Sequence, residues 1–124
     1  MTGRLASHSL HYACLGTVGG KPVLTGEFAH LAQWGIGNLP GRFPGLKVLR
    51  SRVEPAQVRL LLDFQRLDED LLRVLQSYKS EVKNLLRRRG FPEAHLWQWT
   101  HEEQWISTPG ELAGAEALFH PPVG

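Results

Sequence analysis

Apolar positions recur along the chain in two rhythms, and glycine, proline or acidic residues mark most of the changes between them. The longest regular stretch runs through Leu71, Val74, Leu75, Tyr78, Val82, Leu85 and Leu86, at steps of three and four, with Arg73, Lys79, Lys83, Arg87 and Arg88 in most of the remaining places. That spacing predicts a helix with one apolar stripe and a basic outer side. Asp68-Glu69-Asp70 puts negative charge where the free N–H groups of a helix start favour it, and Arg87-Arg88-Arg89 complements the other end. Gly90 and Pro92 stop it. An earlier helix is predicted after Thr25 as N-cap, with Glu27, Phe28, Leu31, Trp34 or Gly35, and Asn38 at helical spacing.

The other rhythm is shorter. Leu10 to Val18, LHYACLGTV, reads as a strand closed by Gly19-Gly20. Pro40 to Gly45 is turn chemistry, after which LKVLRSRV and QVRLLLDF form two strand-like runs joined at Glu54-Pro55-Ala56, a predicted β-hairpin. HLWQWT, His95 to Thr100, alternates as a fourth strand with Trp97 and Trp99 on one side, and Trp105-Ile106 extends it. Thr108-Pro109-Gly110-Glu111 combines an N-cap, a proline at the first helical position and a capping-box glutamate, so ELAGAEALF should be a short last helix. The predicted order β-α-β-β-α-β-α is α+β: a ferredoxin-like, mostly antiparallel four-stranded sheet with an extra C-terminal helix.

Composition narrows this picture. The 124 residues suit a single domain spanning 1–124 with one core, large enough to fold without a metal or disulfide. Cys14 is the single cysteine, set in a strand-like run where burial is expected. No signal-peptide pattern develops in MTGRLASHSLHYACLG, and no stretch approaches the ~20 apolar residues of a membrane span, so a cytoplasmic protein with no membrane partner is expected. The net charge of +2 hides a segregation of charge. Residues 42–66 carry a local +4 and residues 73–89 a local +5, whereas the segment from Phe91 to Gly124 has five glutamates and no Lys or Arg. Clustered cations of this kind point to a polyanion, although a solvated basic helix face gives the same counts. Candidate nucleic-acid contacts are Arg42, Lys47, Arg50, Arg52, Arg59, Lys79, Lys83, Arg87, Arg88 and Arg89.

Several phrases, in common order, are similar to the small HUH tyrosine transposases of insertion sequences and their REP-associated relatives. Leu75-Gln76-Ser77-Tyr78-Lys79-Ser80 resembles a family helix with a Lys-Ser pair, and Leu96-Trp97-Gln98 resembles its Leu/Ile-Trp-Gln strand. Ile106, Glu111-Leu112 and Pro122-Val123 resemble its closing stretch. The family's metal strand reads Pro, Asp or Asn, His, hydrophobic, His; here it reads Pro55-Ala56-Gln57-Val58-Arg59. A strand sets residues 57 and 59 on one face, as two ligands of one cation require. Arginine has donors only and cannot ligate a cation, and Gln57 offers one carbonyl oxygen, too little for a catalytic Mg²⁺ or Mn²⁺. The resemblance therefore implies a motif degenerate at Gln57 and Arg59, with no metal and no cofactor.

The family's insertion-sequence members carry the attacking tyrosine on the last helix, and Glu111 to Phe119 contains none. Tyr78 lies on the apolar seam of the long helix and Tyr12 in the first strand, so neither is carried over and no catalytic residue is assigned. His8 with His11 and His95 with His101 have no known ligand spacing. Trp97, Trp99 and Trp105 are expected to supply core area rather than a base-stacking platform, because no cation lies near them in sequence. The leading expectation is a transposase-like protein that binds single-stranded or hairpin DNA without cutting it, with Arg59 clamping a phosphate where the family holds a metal. The alternatives are a structural or interaction module, given that family members commonly form dimers, and a nickase with a relocated site.

Overall fold

A computed structural model of the chain describes residues 10–65 and 70–119. His8, Arg66, Asp68-Glu69 and Pro122-Val123 lie outside the described residues. The elements follow the predicted order: β1 (Leu10–Gly16), α1 (Gly26–Gly37), a short α2 (Leu39–Arg42), β2 (Lys47–Glu54), β3 (Gln57–Asp63), α3 (Leu71–Arg88), β4 (Glu102–Ile106) and α4 (Pro109–Ala117). The four strands form one antiparallel sheet in the order β2-β3-β1-β4, the α+β arrangement expected from the sequence. The short α2 occupies the first part of what had been predicted as a turn.

Alternation along the two central strands divides the interior. Ala13, Leu15, Val58, Leu60 and Leu62 face α1 and α3 and join Ala32, Ile36, Val74, Tyr78 and Leu86 in the larger core. Tyr12, Cys14 and Leu61 face the other way, where Ile106 and Ala115 complete a smaller core with Leu112 and Phe119 of the α4 region. The uninterrupted Leu60-Leu61-Leu62 is thereby explained, since a central strand buried on both faces has no polar side.

The helices obey their sequence signals with local differences. Asp70 caps α3, its side chain accepting from the Leu72 N–H at 2.8 Å. Tyr78 is wholly buried, donates to the Ala32 carbonyl at 2.9 Å, and burial pushes its phenol far above the ordinary range. Thr108 accepts from the Glu111 N–H at 3.1 Å, while the Glu111 carboxylate reaches the Ser107 N–H at 3.0 Å, one residue earlier than a capping box would place it. In α1 the buried face is Ala32, Gly35 and Ile36, and Trp34 points outward, 55 % exposed. Gly35 sits there because α3 comes close: a Cβ at this position would lie 2.9 Å from Val82 Cγ2 and 3.2 Å from Tyr78 Cε1.

The fourth strand departs from expectation. Trp97 makes a bridge to Thr17, flanked by Val18 N–H to Leu96 O and Gln98 N–H to Gly16 O. Regular pairing with β1 resumes only at Glu102, opposite Cys14. Four residues of this segment thus oppose two of β1, so two extra residues are expelled from the ladder, as in a large bulge. The expulsion breaks the alternation that was to put Trp97 and Trp99 on one buried side. Trp97 packs against the larger core, but Trp99 is 98 % exposed and Trp105 57 % exposed, which corrects the expectation that all three fill the core.

The close α1–α3 contact predicts the effect of a methyl group at position 35. Alanine in a helix interior is ordinarily worth about 0.5–1 kcal/mol over glycine, yet Gly35→Ala should destabilise by about 1–3 kcal/mol through overpacking. Urea denaturation measures it, and a second change, Val82→Ala, should recover part of the loss in a double-mutant cycle.

Candidate functional site

The face that carries residues 57 and 59 is the one covered by α4. Alternation puts Gln57, Arg59 and Leu61 of β3 on this side with Tyr12 and Cys14 of β1. Cys14 lies directly opposite Arg59, and Tyr12 two pairs further on, opposite Leu61. On the other flank Arg52 of β2 pairs directly with Arg59, and Glu54 pairs with Gln57. Two arginines opposed across a ladder repel each other, so a carboxylate is needed between them.

Glu54 provides it. Its Oε1 accepts from Arg59 Nε at 2.8 Å and from Gln57 Nε2 at 2.9 Å, while Oε2 stands 3.8 Å from Arg52 Nε. Arg59 Nη1 also donates to the Tyr12 hydroxyl at 2.6 Å, and the Cys14 thiol donates to Gln57 Oε1 at 3.3 Å. Partial burial by itself would raise the Glu54 carboxyl, but hydrogen bonds from Arg59 and Gln57 and the charges of both arginines outweigh it and hold the group below its usual value. Burial likewise opposes the charge on Arg59, and the bonds to Glu54 and Tyr12 more than restore it. Burial pushes the Tyr12 phenol and the Cys14 thiol up. Both therefore stay protonated at neutral pH, which makes neither a ready nucleophile.

This donor set does not fit a divalent cation. Arg59 brings a positive charge, the one carbonyl oxygen of Gln57 accepts from Cys14, and the nearest carboxylate already serves two arginines. Among the described residues, no group of three or more His, Cys, Asp or Glu could hold a metal ion.

The ten candidate cations separate by their partners. Arg42 pairs with Glu81 and donates to Ser77 Oγ at 2.9 Å, Arg50 lies 3.9 Å from Glu116 of α4, and Arg89 reaches Glu27 at 3.2 Å. Arg52 and Arg59 share Glu54. Lys47, Lys79, Lys83, Arg87 and Arg88 have no ion pair among the described residues. Lys79, Lys83 and Arg87 follow one another at steps of four, in one row along α3. Sequence reasoning had no means of separating the two groups. It also missed Glu54, Tyr12 and Cys14, although the two-residue offset between Arg52 and Glu54 already put both on one side of β2.

The chain has a transposase-like fold. It superposes on a candidate transposase from Deinococcus radiodurans R1 with a TM-score of 0.70 at 17 % identity, covering 95 % of each chain. It also superposes on a REP-associated tyrosine transposase bound to a REP hairpin, with a TM-score of 0.72 at 11 % identity, over 92 % of this chain and 65 % of the other. No protein-family model matches the sequence, and no curated protein matches it significantly.

The Glu54 network carries a pH signature. A carboxyl held below its ordinary value contributes stability that is fully present above the unfolded value of 4.5 and is lost as pH falls through the folded one. Glu54→Gln, which leaves Arg52 and Arg59 opposed, should cost about 1.5–3 kcal/mol at neutral pH, the range of hydrogen bonds to a charged group. Denaturation midpoints of the two proteins should converge as the pH is lowered below that value; a gap independent of pH would assign the loss to packing.

Proposed function

We propose that this protein binds nucleic acid through a transposase-like domain and does not cut it. The observation that carries the second half is the closed arrangement at residues 57 and 59: an arginine and a glutamine tied to Glu54, where the resemblance sets two metal-binding histidines. With a fixed cation in place of an electrophilic metal, and with Tyr12 kept protonated by its surroundings, the site has neither a Lewis acid nor an activated nucleophile.

The nucleic-acid half is supported by the hairpin-bound neighbour of like fold and by the cations that have no carboxylate partner among the described residues. In this reading Lys79, Lys83, Arg87 and Arg88 of α3 make the main phosphate contacts, joined by Lys47. Arg42, Arg50, Arg52, Arg59 and Arg89 contact phosphate only by exchanging a carboxylate for it. A phosphate clamp at Arg59 would have to displace Glu54, and Arg59→Ala tests it: affinity unchanged at low salt removes Arg59 from the interface. The favoured ligand is hairpin or single-stranded DNA, and the favoured compartment the cytoplasm.

A second reading, an assembly module that forms homodimers, is favoured by β4, an edge strand with Glu102, Glu103, Gln104 and Trp105 exposed. Salt separates the two. Fluorescence anisotropy with a labelled hairpin oligonucleotide should show affinity falling steeply with ionic strength, and Lys83→Gln with Arg87→Gln should flatten the log–log slope by roughly two. An assembly module shows no salt-sensitive binding. Incubation of single-stranded DNA with Mg²⁺ or Mn²⁺ should yield no nicked product; metal-dependent cleavage would overturn the non-cutting half.

A further inference from the structure

Trp99 and the cations of α3 are far apart in sequence but share one groove. An open cavity of about 810 Å³ runs between α3 and residues 95–100, with Gln76, Lys79 and Lys83 on one wall and His95, Gln98 and Trp99 on the other. Two hydrogen bonds fasten the walls together: Trp97 Nε1 donates to the Lys79 carbonyl at 3.0 Å, and Lys79 Nζ donates to the Gln98 carbonyl at 3.1 Å. The groove therefore has a fixed floor. No carboxylate lines it, so its potential is set by the two lysines.

Trp99 is the unexplained group. A nearly complete indole surface stands in water on a segment that is otherwise anchored on both sides, by the Thr17–Trp97 bridge before it and by the β4 ladder after it. The two extra residues of the bulge hold it out of the sheet, and bulges of this kind re-aim a side chain. An exposed aromatic face beside two cations, in a groove that combines apolar wall from Val18, Leu96 and Trp97 with amide, imidazole and hydroxyl groups, suits a flat π-surface flanked by negative charge.

We propose that this groove takes an unpaired stretch of nucleic acid, with one base stacked on Trp99 and the flanking phosphates on Lys79 and Lys83. It lies beside α3, on the opposite side of the sheet from Gln57 and Arg59, and so is a separate site from the degenerate motif. The inference rests on the nucleic-acid reading above and narrows it to unpaired bases. It also reverses the sequence argument against a tryptophan platform: the missing cations come from α3, across the groove rather than along the chain.

Anisotropy titrations of the full chain should use labelled oligothymidylate and oligouridylate of roughly twelve nucleotides, a site size common for such grooves, beside a blunt duplex. Trp99→Ala should weaken binding to the single strands by about tenfold or more, Trp99→Phe should retain most of it, and duplex affinity should be unchanged by either. Trp34→Ala, which removes an exposed indole from α1, should have no effect. Because Trp99 has almost no packing to lose, its removal leaves the fold intact. Equal binding of both homopolymers agrees with a site blind to the 2′-hydroxyl and the 5-methyl group, and tighter binding of one shows that the groove reads one of the two. Unchanged single-strand binding in Trp99→Ala, or equal competition by polyglutamate, would overturn the inference. A wild type that binds duplex but neither homopolymer sinks this groove and leaves the nucleic-acid reading standing; a wild type that binds none of them sinks both.

Discussion

The pleat of β3 is the constraint on which the rest depends. Because side chains alternate along it, Val58, Leu60 and Leu62 are committed to the core under α1 and α3, and Gln57, Arg59 and Leu61 to the face under α4. A slip of one residue would bury Arg59 among Tyr78 and Leu86 and move Val58, Leu60 and Leu62 to the face under α4. The register is pinned from both sides, by seven paired positions with β1 and by the hairpin to β2. Once it is fixed, Arg59 must lie opposite Arg52, and Glu54 must lie where it can neutralise both. The ion network is thus a consequence of strand pairing rather than an independent addition.

That network gives residues 57 and 59 a structural role. Arg59 is held by a carboxylate and a phenol, Gln57 by the same carboxylate and a thiol, and Phe119, just past α4, stands edge-on to the Tyr12 ring beside them. A site meant to accept and release a metal needs open acceptors; these are taken. Charges able to meet a polyanion lie instead on α3, where Lys79, Lys83 and Arg87 have no competing carboxylate among the described residues. The fold is transposase-like, while the α3 cations without a carboxylate partner among the described residues lie on the other side of the sheet.

Much of this was legible in the sequence, for identifiable reasons. The stripe from Leu71 to Leu86, the Gly90 stop, the hairpin at Pro55-Ala56 and the Thr108 cap are local signals, set by neighbours within a turn, and each element stands where they put it. The fourth strand was not legible because its pairing is non-local. HLWQWT alternates as a strand should, but only Trp97 makes a bridge, to Thr17 just past β1, and the two extra residues that expel Trp99 are visible only against the β1 register. Likewise, Phe91 to Gly124 is acidic as a string, which hid the fact that Lys79 and Lys83 line the groove beside it. Whether a given arginine is free or paired depends on side chains forty residues away, as Arg42 with Glu81 illustrates.

The central claim is that nucleic acid is bound on the α3 side while residues 57 and 59 remain an internal ion network. Titration of ¹⁵N-labelled protein with a hairpin oligonucleotide bearing a single-stranded extension, followed by amide chemical shifts, tests this most directly. The account predicts that the shifts gather along residues 79–89 and 95–100, with Gln57, Arg59 and Glu54 left in place. Shifts centred on Glu54, Gln57 and Arg59, with α3 silent, would contradict it.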